Sequence, residues 1–249
     1  MSPNLQTFCS KAGHRHQVAS LSIPSARVVN TSLRELYACD GAFLGSLVLP
    51  ALETISINPF SDETTCPPNT LSGLRTLLSQ SHCSLTRLAM VDVTPDHHLS
   101  AVLELVPTLM SLAFEQSYIG QSWPEPDGDV YQELISRMKT TTVDSSGQPR
   151  HLLLPNLKKL SFTILADPPR DSDFHSIVNH DFAEMVISRW DSYDEPSLSS
   201  VSVEYYSSSP WKLPGLLPVD IANLKRCKTE ELDIVIRSHA SSNGTIEYV

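Results

Sequence analysis

Histidine and cysteine side chains that lie close together in the sequence are the first candidates for chemistry. Three such groups occur: Cys9 with His14 and His16, the pair His82-Cys83, and the pair His97-His98. A structural zinc site takes four thiolate or imidazole ligands in paired spacings, and these groups do not supply two such pairs. We therefore expect no metal site, and we interpret these residues as histidines and cysteines scattered over polar loops.

A second group combines carboxylates with imidazoles: Asp171, Asp173, His175, His180 and Asp181. Such a cluster performs acid–base chemistry where the ends of several strands of an α/β sheet meet. Its spacing across a loop and a helix start is more typical of residues that cap and solvate the helix. The motifs GxSxG and HExxH are absent, and nine glycines leave little room for a phosphate-binding loop. We predict no catalytic residues and no cofactor.

The composition limits the classes of partner and compartment. The 249 residues include 18 Lys plus Arg and 28 Asp plus Glu, a net charge of −10, which disfavours a phosphate-reading surface and nucleic-acid binding. No apolar run approaches the roughly 20 residues of a membrane span, and no signal peptide is evident. Five cysteines without a CxxC pair indicate free thiols in a reducing compartment. We predict an intracellular protein, cytoplasmic or nuclear, that binds no membrane.

The elements that would position any functional residue are repeated. The motif Pro-x-Leu-x-x-apolar occurs five times, at Pro3/Leu5/Phe8, Pro50/Leu52/Ile55, Pro107/Leu109/Leu112, Pro155/Leu157/Leu160 and Pro196/Leu198/Val201. Two further copies, at Leu33 and Leu85, lack the proline, and a degenerate last copy places Thr229 at the first leucine position. The repetition predicts a family of equivalent structural units along the chain.

Each copy of the motif predicts a turn that leads into a short strand. Proline restrains the backbone at the turn, and the apolar-x-apolar spacing places alternate side chains on one face of an extended segment. Between the copies, apolar residues recur at helical spacing, as in Leu71, Leu74 and Leu78. Strands lacking continuous Val/Ile runs argue against an ordinary doubly wound sheet. We predict an α/β fold, an irregular leucine-rich-repeat solenoid with parallel strands on the concave face and helices on the convex face.

One domain is expected to span residues 1–237, followed by a flexible tail over residues 238–249. The long steps between some motif copies are interpreted as loops within that domain and not as additional domains.

The phrases Leu154-Pro155-Asn156-Leu157-Lys158-Lys159-Leu160 and Val106-Pro107-Thr108-Leu109 resemble the leucine-rich repeat region of F-box proteins, especially the F-box-like families of mushroom-forming fungi. The resemblance covers nearly the whole chain. It implies an intracellular recognition horseshoe, whose F-box docks the adaptor of a cullin-type ubiquitin ligase. No F-box precedes the first repeat, so we expect adaptor binding only if an F-box is supplied upstream.

In such a solenoid, residues between the apolar motif positions point outward on the strand face. The candidates for partner binding are Arg34, Tyr37, Glu53, Arg87, Glu115, Lys158, Lys159 and Glu204. Their mixed charge suits a protein partner, and Arg87, Lys158 and Lys159 are expected to form a positive spot for an acidic segment.

The sequence therefore predicts a monomeric, non-enzymatic protein-recognition module, similar to the substrate-binding part of an F-box protein in ubiquitin-ligase pathways. Two alternatives remain: an α/β enzyme of unknown type, and a truncated F-box-like gene product with no retained activity.

Overall fold

The computed structural model describes residues 6–9, 27–59, 65–119, 129–143, 145, 147, 149–167, 177–191, 198–207, 215–240 and 244–249. The chain divides into two compact units, Met1–Leu109 and Met110–Val249. Whether residues 1–237 form one domain stays a prediction.

The first unit is built on short parallel strands. Its elements are β1 (Thr7–Cys9), β2 (Val28–Val29), β3 (Glu35–Tyr37), α1 (Gly41–Gly45), β4 (Leu47–Val48), β5 (Thr54–Ile57), α2 (Thr70–Ser81), β6 (Arg87–Val91) and α3 (His98–Glu104). Strands β1, β3, β5 and β6 pair in that order, all parallel, and β2 pairs separately with β4. The register aligns the apolar motif residues Phe8, Leu36, Ile55 and Leu88 across the four strands.

Within its described residues, the second unit has longer strands and three helices. Its elements are β7 (Ser111–Ile119), α4 (Asp129–Lys139), β8 (Thr141–Val143), β9 (Pro149–His151), β10 (Lys159–Asp167), α5 (His180–Trp190), β11 (Ser200–Ser207), α6 (Pro218–Thr229), β12 (Asp233–Ala240) and β13 (Gly244–Glu247). Strands β7, β10, β11 and β12 are parallel neighbours, β13 is antiparallel to β12, and β8 pairs antiparallel with β9. The predicted α/β class with a mostly parallel sheet is confirmed.

The proline motif forms a β-turn ahead of its strand. The backbone N–H of Leu52 donates to the carbonyl of Leu49 at 3.2 Å, and that of Leu157 donates to Leu154 at 3.1 Å. Proline therefore occupies the second turn position, which its fixed φ favours. The first leucines of four motif copies, Leu52, Leu109, Leu157 and Leu198, are all 0% exposed, which confirms that they face inward.

A second local feature recurs where the strands begin. The carbonyl of Arg34 accepts from the backbone N–H groups of both Glu53 and Thr54, each at 2.9 Å. In the second unit the Met110 carbonyl accepts from Lys158 and Lys159 in the same way, again at 2.9 Å. Both units therefore start neighbouring strands with the same backbone geometry, as expected of repeated sequence units.

The last motif copy is displaced from its predicted position. Ile234 pairs with Val201, so the first leucine position of this copy falls on Glu231 and not on Thr229. Helix α6 continues through Thr229, and Glu231 then adopts a φ of 79°. The chain thus uses two more residues to leave the helix before its strand begins.

The C-terminal residues are paired, in contrast to the flexible tail that we expect from the sequence. Residues 238–240 complete β12, β13 covers the edge of β12, and Val249 is 3% exposed. The backbone N–H of Tyr248 donates to the Ile236 carbonyl at 2.9 Å. An edge strand presents unpaired N–H and C=O groups, and this segment satisfies them.

The helices coincide with the predicted apolar stripes. Leu71, Leu74, Leu77 and Leu78 are buried in α2, and Leu134, Ile135 and Met138 in α4. Helix α3 begins at His98, and the Asp96 side chain accepts from the His98 N–H. Among the residues that the structure describes, no helix is long and apolar enough to cross a membrane.

Candidate functional site

The four parallel strands of the second unit have one buried side and one open side. On the buried side, Phe114 and Phe162 stack with ring centroids 5.2 Å apart, and Tyr131 of α4 and Phe182 of α5 contact Phe162 edge-on. Helices α4 and α5 therefore cover this side. The alternate residues are all half-buried or exposed, and we call them the open face: Ser111, Ala113, Glu115, Ser117, Lys159, Ser161, Thr163, Leu165, Ser200, Ser202, Glu204, Tyr206, Asp233, Val235, Arg237 and His239.

Charges on the open face lie in rows that cross the strands. Lys159 aligns with Ser111 and Ser200 at the start of the strands. Four residues further along, Glu115 and Glu204 align on either side of Thr163. At about 3.3 Å per residue the two rows are about 13 Å apart. Strand β12 completes the first row with Asp233, beside Ser200, and the second with Arg237, beside Glu204. The first row therefore carries a cation at Lys159 and the second two carboxylates, each with the opposite charge at its β12 end.

Small side chains form the floor between these charged rows. Ala113, Ser161 and Ser202 align across β7, β10 and β11. A partner chain can approach the sheet closely there, because these side chains project little from it.

The end of the open face carries an aromatic pair. The Tyr206 ring stacks on His239 with centroids 4.4 Å apart, and the Tyr206 hydroxyl donates to Glu204 Oε2 at 2.7 Å. This hydrogen bond raises the pKa of the Tyr206 phenol. Arg237 Nε donates to Glu247 Oε2 at 2.9 Å, so β13 supplies a carboxylate beside this face.

Lys158 and Lys159 both reach solvent, as the sequence predicts for residues at the bend between two buried leucines. The turn that presents them is held by Arg189 of α5, which is 0% exposed. Its guanidinium donates to the carbonyls of Leu154 at 3.0 Å, Leu153 at 2.5 Å and Met138 at 2.9 Å. Burial lowers the pKa of Arg189 to about 10. Arg189 is thus a positioning residue for the two lysines.

The predicted residues of the first unit lie in its strands or directly before them. Tyr37 in β3 is aligned with Ser56 and half-buried, while Arg87 begins β6 and is exposed. Arg34 and Glu53 form an exposed ion pair, so their charges partly compensate each other. Arg87 belongs to the first unit and both lysines to the second, and their membership of one positive spot stays a prediction.

Of the predicted acid–histidine cluster, the structure describes His180 and Asp181, and the ring of His180 contacts two carboxylates from outside the cluster. His180 Nδ1 lies 2.9 Å from Asp220 Oδ1, and Nε2 lies 3.4 Å from Glu184 Oε1. The hydrogen bond to Asp220 raises the pKa of His180. Within the described part of the chain, the polar partners of this ring are carboxylates, so the contacts join α5 to α6. Asp171, Asp173 and His175 lie outside the described residues.

Asp181 lies in the first turn of α5. Asn179 caps this helix, because its side-chain oxygen accepts a hydrogen bond from the Phe182 N–H at 3.0 Å. This arrangement agrees with the helix-capping interpretation of the region.

The histidines and cysteines that the sequence analysis interprets as scattered over polar loops lie in different surroundings. All five cysteines are free thiols, and burial raises the pKa of the Cys83 thiol. His14 and His16 lie outside the described residues. The His97-His98 pair, by contrast, gathers with Asp96, and one ligand atom from each residue lies within 4.8 Å of the others.

Two features of these surfaces escape sequence reasoning. The Tyr206–His239 stack depends on the register of β11 with β12, although the alternation of Ser200–Ser207 indicates which tyrosine faces outward. The second feature is the gathering of Asp96 with His97 and His98. Asp96 directly precedes the two histidines in the sequence, and this adjacency is the signal from which the cluster could have been predicted.

Comparisons of the chain with protein-family models, with curated proteins and with solved structures find no match.

Proposed function

We propose that this chain is a non-enzymatic protein-recognition module that binds a segment of another protein on the open face of its second unit. The carrying observation is the alternation of β7, β10, β11 and β12. One side of these strands is buried under helices, and the other presents a polar surface with both signs of charge.

The repeated turn-and-strand units support a leucine-rich-repeat architecture of the solenoid type. The motif leucines are buried, neighbouring strands begin with the same hydrogen-bond pattern, and parallel register aligns motif copies within each unit. Solenoids of this kind bind partners along an extended strand surface. By its resemblance to the repeat region of F-box proteins, the chain would serve as a substrate receptor in ubiquitination.

The charges of the open face define which charged residues the bound segment carries. An acidic residue of the bound segment lies at Lys158 and Lys159, and a basic residue lies between Glu115 and Glu204, about 13 Å away. The small residues between the rows receive the connecting backbone. Complementary charges of this kind fix the direction in which the segment binds.

A displayed library of random peptides tests this proposal. The unmodified chain is expected to enrich peptides that carry an acidic and a basic residue at a fixed separation. The double variant Lys158→Glu with Lys159→Glu is expected to weaken binding of those peptides about tenfold or more, because attraction becomes repulsion.

Lys225→Glu is the matched control, since Lys225 is an exposed lysine of α6 in the same unit. The control is expected to bind the selected peptides as the unmodified chain does. Equal losses in the control and the double variant, or unchanged binding by the double variant, would contradict the proposal.

A further inference from the structure

The turn between β6 and α3 gathers three metal-binding side chains on consecutive residues. One carboxylate oxygen of Asp96 and one ring nitrogen each from His97 and His98 lie within 4.8 Å of one another. Ligand atoms on the same ion, each about 2.1 Å from it, are up to about 4.2 Å apart. Small side-chain rotations are therefore enough to bring all three donors onto one ion.

The backbone holds these residues before any ion binds. Asp96 Oδ1 accepts from the His98 N–H at 2.7 Å, and the Asp96 carbonyl accepts from the Leu99 N–H at 2.9 Å. Leu99, Val102 and Leu103 are buried, so α3 is anchored to the first unit directly behind this turn. Less conformational freedom remains to be lost on binding, which favours affinity.

The two imidazole rings are neighbours already. Their centroids are 4.0 Å apart with planes tilted by 42°. A metal ion binds imidazole in its neutral form, so two neighbouring rings can share one ion. The Asp96 carboxylate adds the negative charge that offsets the partial positive charge at the start of a helix.

Accessibility also suits an ion. His97 is exposed, while Asp96 and His98 are half-buried. The remaining coordination positions therefore face solvent and are filled by water. Two imidazoles with one carboxylate suit borderline transition metals such as Zn²⁺ and Ni²⁺ better than Ca²⁺ or Mg²⁺, which prefer oxygen ligands only.

From this geometry we propose that Asp96, His97 and His98 form a binding site for one divalent transition-metal ion, with Zn²⁺ as the test ion. The site is independent of the protein-recognition function, because it belongs to the first unit and the proposed peptide surface to the second.

The test uses the full chain after treatment with a chelator and its removal. Titration with Zn²⁺ followed by calorimetry is expected to show one site per chain, and the same titration with Mg²⁺ is expected to show none. Lowering the pH from about 7.5 to about 5.5 is expected to abolish Zn²⁺ binding, since protons compete for the imidazole nitrogens.

Three variants assign the ligands. Asp96→Asn retains an oxygen that caps His98, and His97→Gln and His98→Gln retain polar side chains, so all three are expected to fold. Each is expected to weaken Zn²⁺ binding about tenfold or more, as loss of one ligand does. Paramagnetic Ni²⁺ is expected to broaden the ring signals of His97 and His98 first.

His82→Asn is the matched control in the same unit. His82 is an exposed histidine with a φ of 47°, a conformation that asparagine tolerates. This variant is expected to bind Zn²⁺ normally. Equal weakening in His82→Asn, non-stoichiometric uptake of Zn²⁺, or full affinity in the three ligand variants would overturn the site.

Discussion

The two sides of β7, β10, β11 and β12 are made from the same residues of sequence in alternation, yet they follow opposite chemistry. The covered side holds closely packed rings and a fully buried arginine that donates to three backbone carbonyls. The open face holds a stacked Tyr–His pair and charged side chains that are half-buried or exposed. The comparison indicates that packing stabilises one side of the sheet, while the other side presents the polar and charged residues on which the proposed recognition depends.

The largest expected difference in stability between the two sides is between variants of the buried Arg189 and of the partly exposed Arg237. Arg189→Met removes a donor from the carbonyls of Met138, Leu153 and Leu154, of which Leu154 keeps the Leu157 N–H. Each buried carbonyl left unpaired costs about 1–3 kcal/mol. We expect the free energy of unfolding to fall by about 3 kcal/mol or more. Chemical denaturation monitored by circular dichroism measures it.

Arg237→Met is the matched change on the open face, where Arg237 is paired with Glu247 and partly exposed. It is expected to lower stability by at most about 1 kcal/mol. Similar losses for the two variants would break the contrast between the sides.

A pair of leucines gives the next largest effect. Leu157→Ala removes a fully buried side chain and is expected to lower stability by about 2–5 kcal/mol. Leu165→Ala removes the same atoms from the half-buried open face and is expected to have a clearly smaller effect. Thermal unfolding of both variants measures the difference, and an unchanged melting temperature for Leu157→Ala would contradict the motif register.

The pH dependence of stability gives a further comparison, between the buried His151 and the exposed His180. Burial, and then the charge of Arg189, lowers the pKa of His151 to about 4. The unfolded chain takes up this proton near the ordinary value of about 6.5. Stability is therefore expected to fall as the pH drops from about 6.5 towards 4, with no contribution from this group above that window.

The substitution His151→Gln removes this titrating side chain. It is expected to reduce the fall in the free energy of unfolding at low pH, which urea unfolding across the pH range measures. The exposed His180, whose pKa is raised mainly by its hydrogen bond to Asp220, has the opposite sign. The contribution of His180 to stability is present below the ordinary imidazole pKa, and it is lost as the pH rises through the raised pKa of the folded state. If His151→Gln has the same pH profile as the unmodified chain, the buried-histidine assignment is wrong.

The smallest effect is spectroscopic and belongs to the open face. Glu204→Gln removes the carboxylate that raises the pKa of Tyr206. We expect the alkaline titration midpoint of Tyr206 to move down in this variant, measured by NMR of ring-labelled tyrosine. Tyr248, whose phenol pKa is raised by burial, is the internal reference and is expected to be unchanged.

Local spacing explains how much of the fold could be predicted. Proline with leucine two residues later indicates the turn, and leucine followed by alternating apolar residues indicates a buried strand side. These relations involve neighbours in sequence, so the burial of Leu52, Leu109, Leu157 and Leu198 could be predicted. The last motif copy is displaced for a local reason as well, because α6 continues through Thr229 and the chain leaves it at Glu231.

The candidate site could be predicted less completely. The exposure of Lys158 and Lys159 follows from their place between two buried leucines. The row of Glu115 with Glu204 required the register of three strands, and sequence spacing does not fix that register. The C-terminal residues were expected to form a flexible tail, whereas their pairing with β12 is made by backbone hydrogen bonds, which the side-chain pattern does not specify.

By itself, then, the sequence determined the repeated turns, the helix stripes and the α/β class, because each depends on the conformational preferences and period of adjacent residues. Tertiary structure alone decided the role of Arg189, because from the sequence an arginine is expected to be exposed. Its carbonyl partners lie 35 to 51 residues away along the chain. Only the packing of α4 and α5 brings those oxygens together, and a buried guanidinium is stable only where such acceptors already meet.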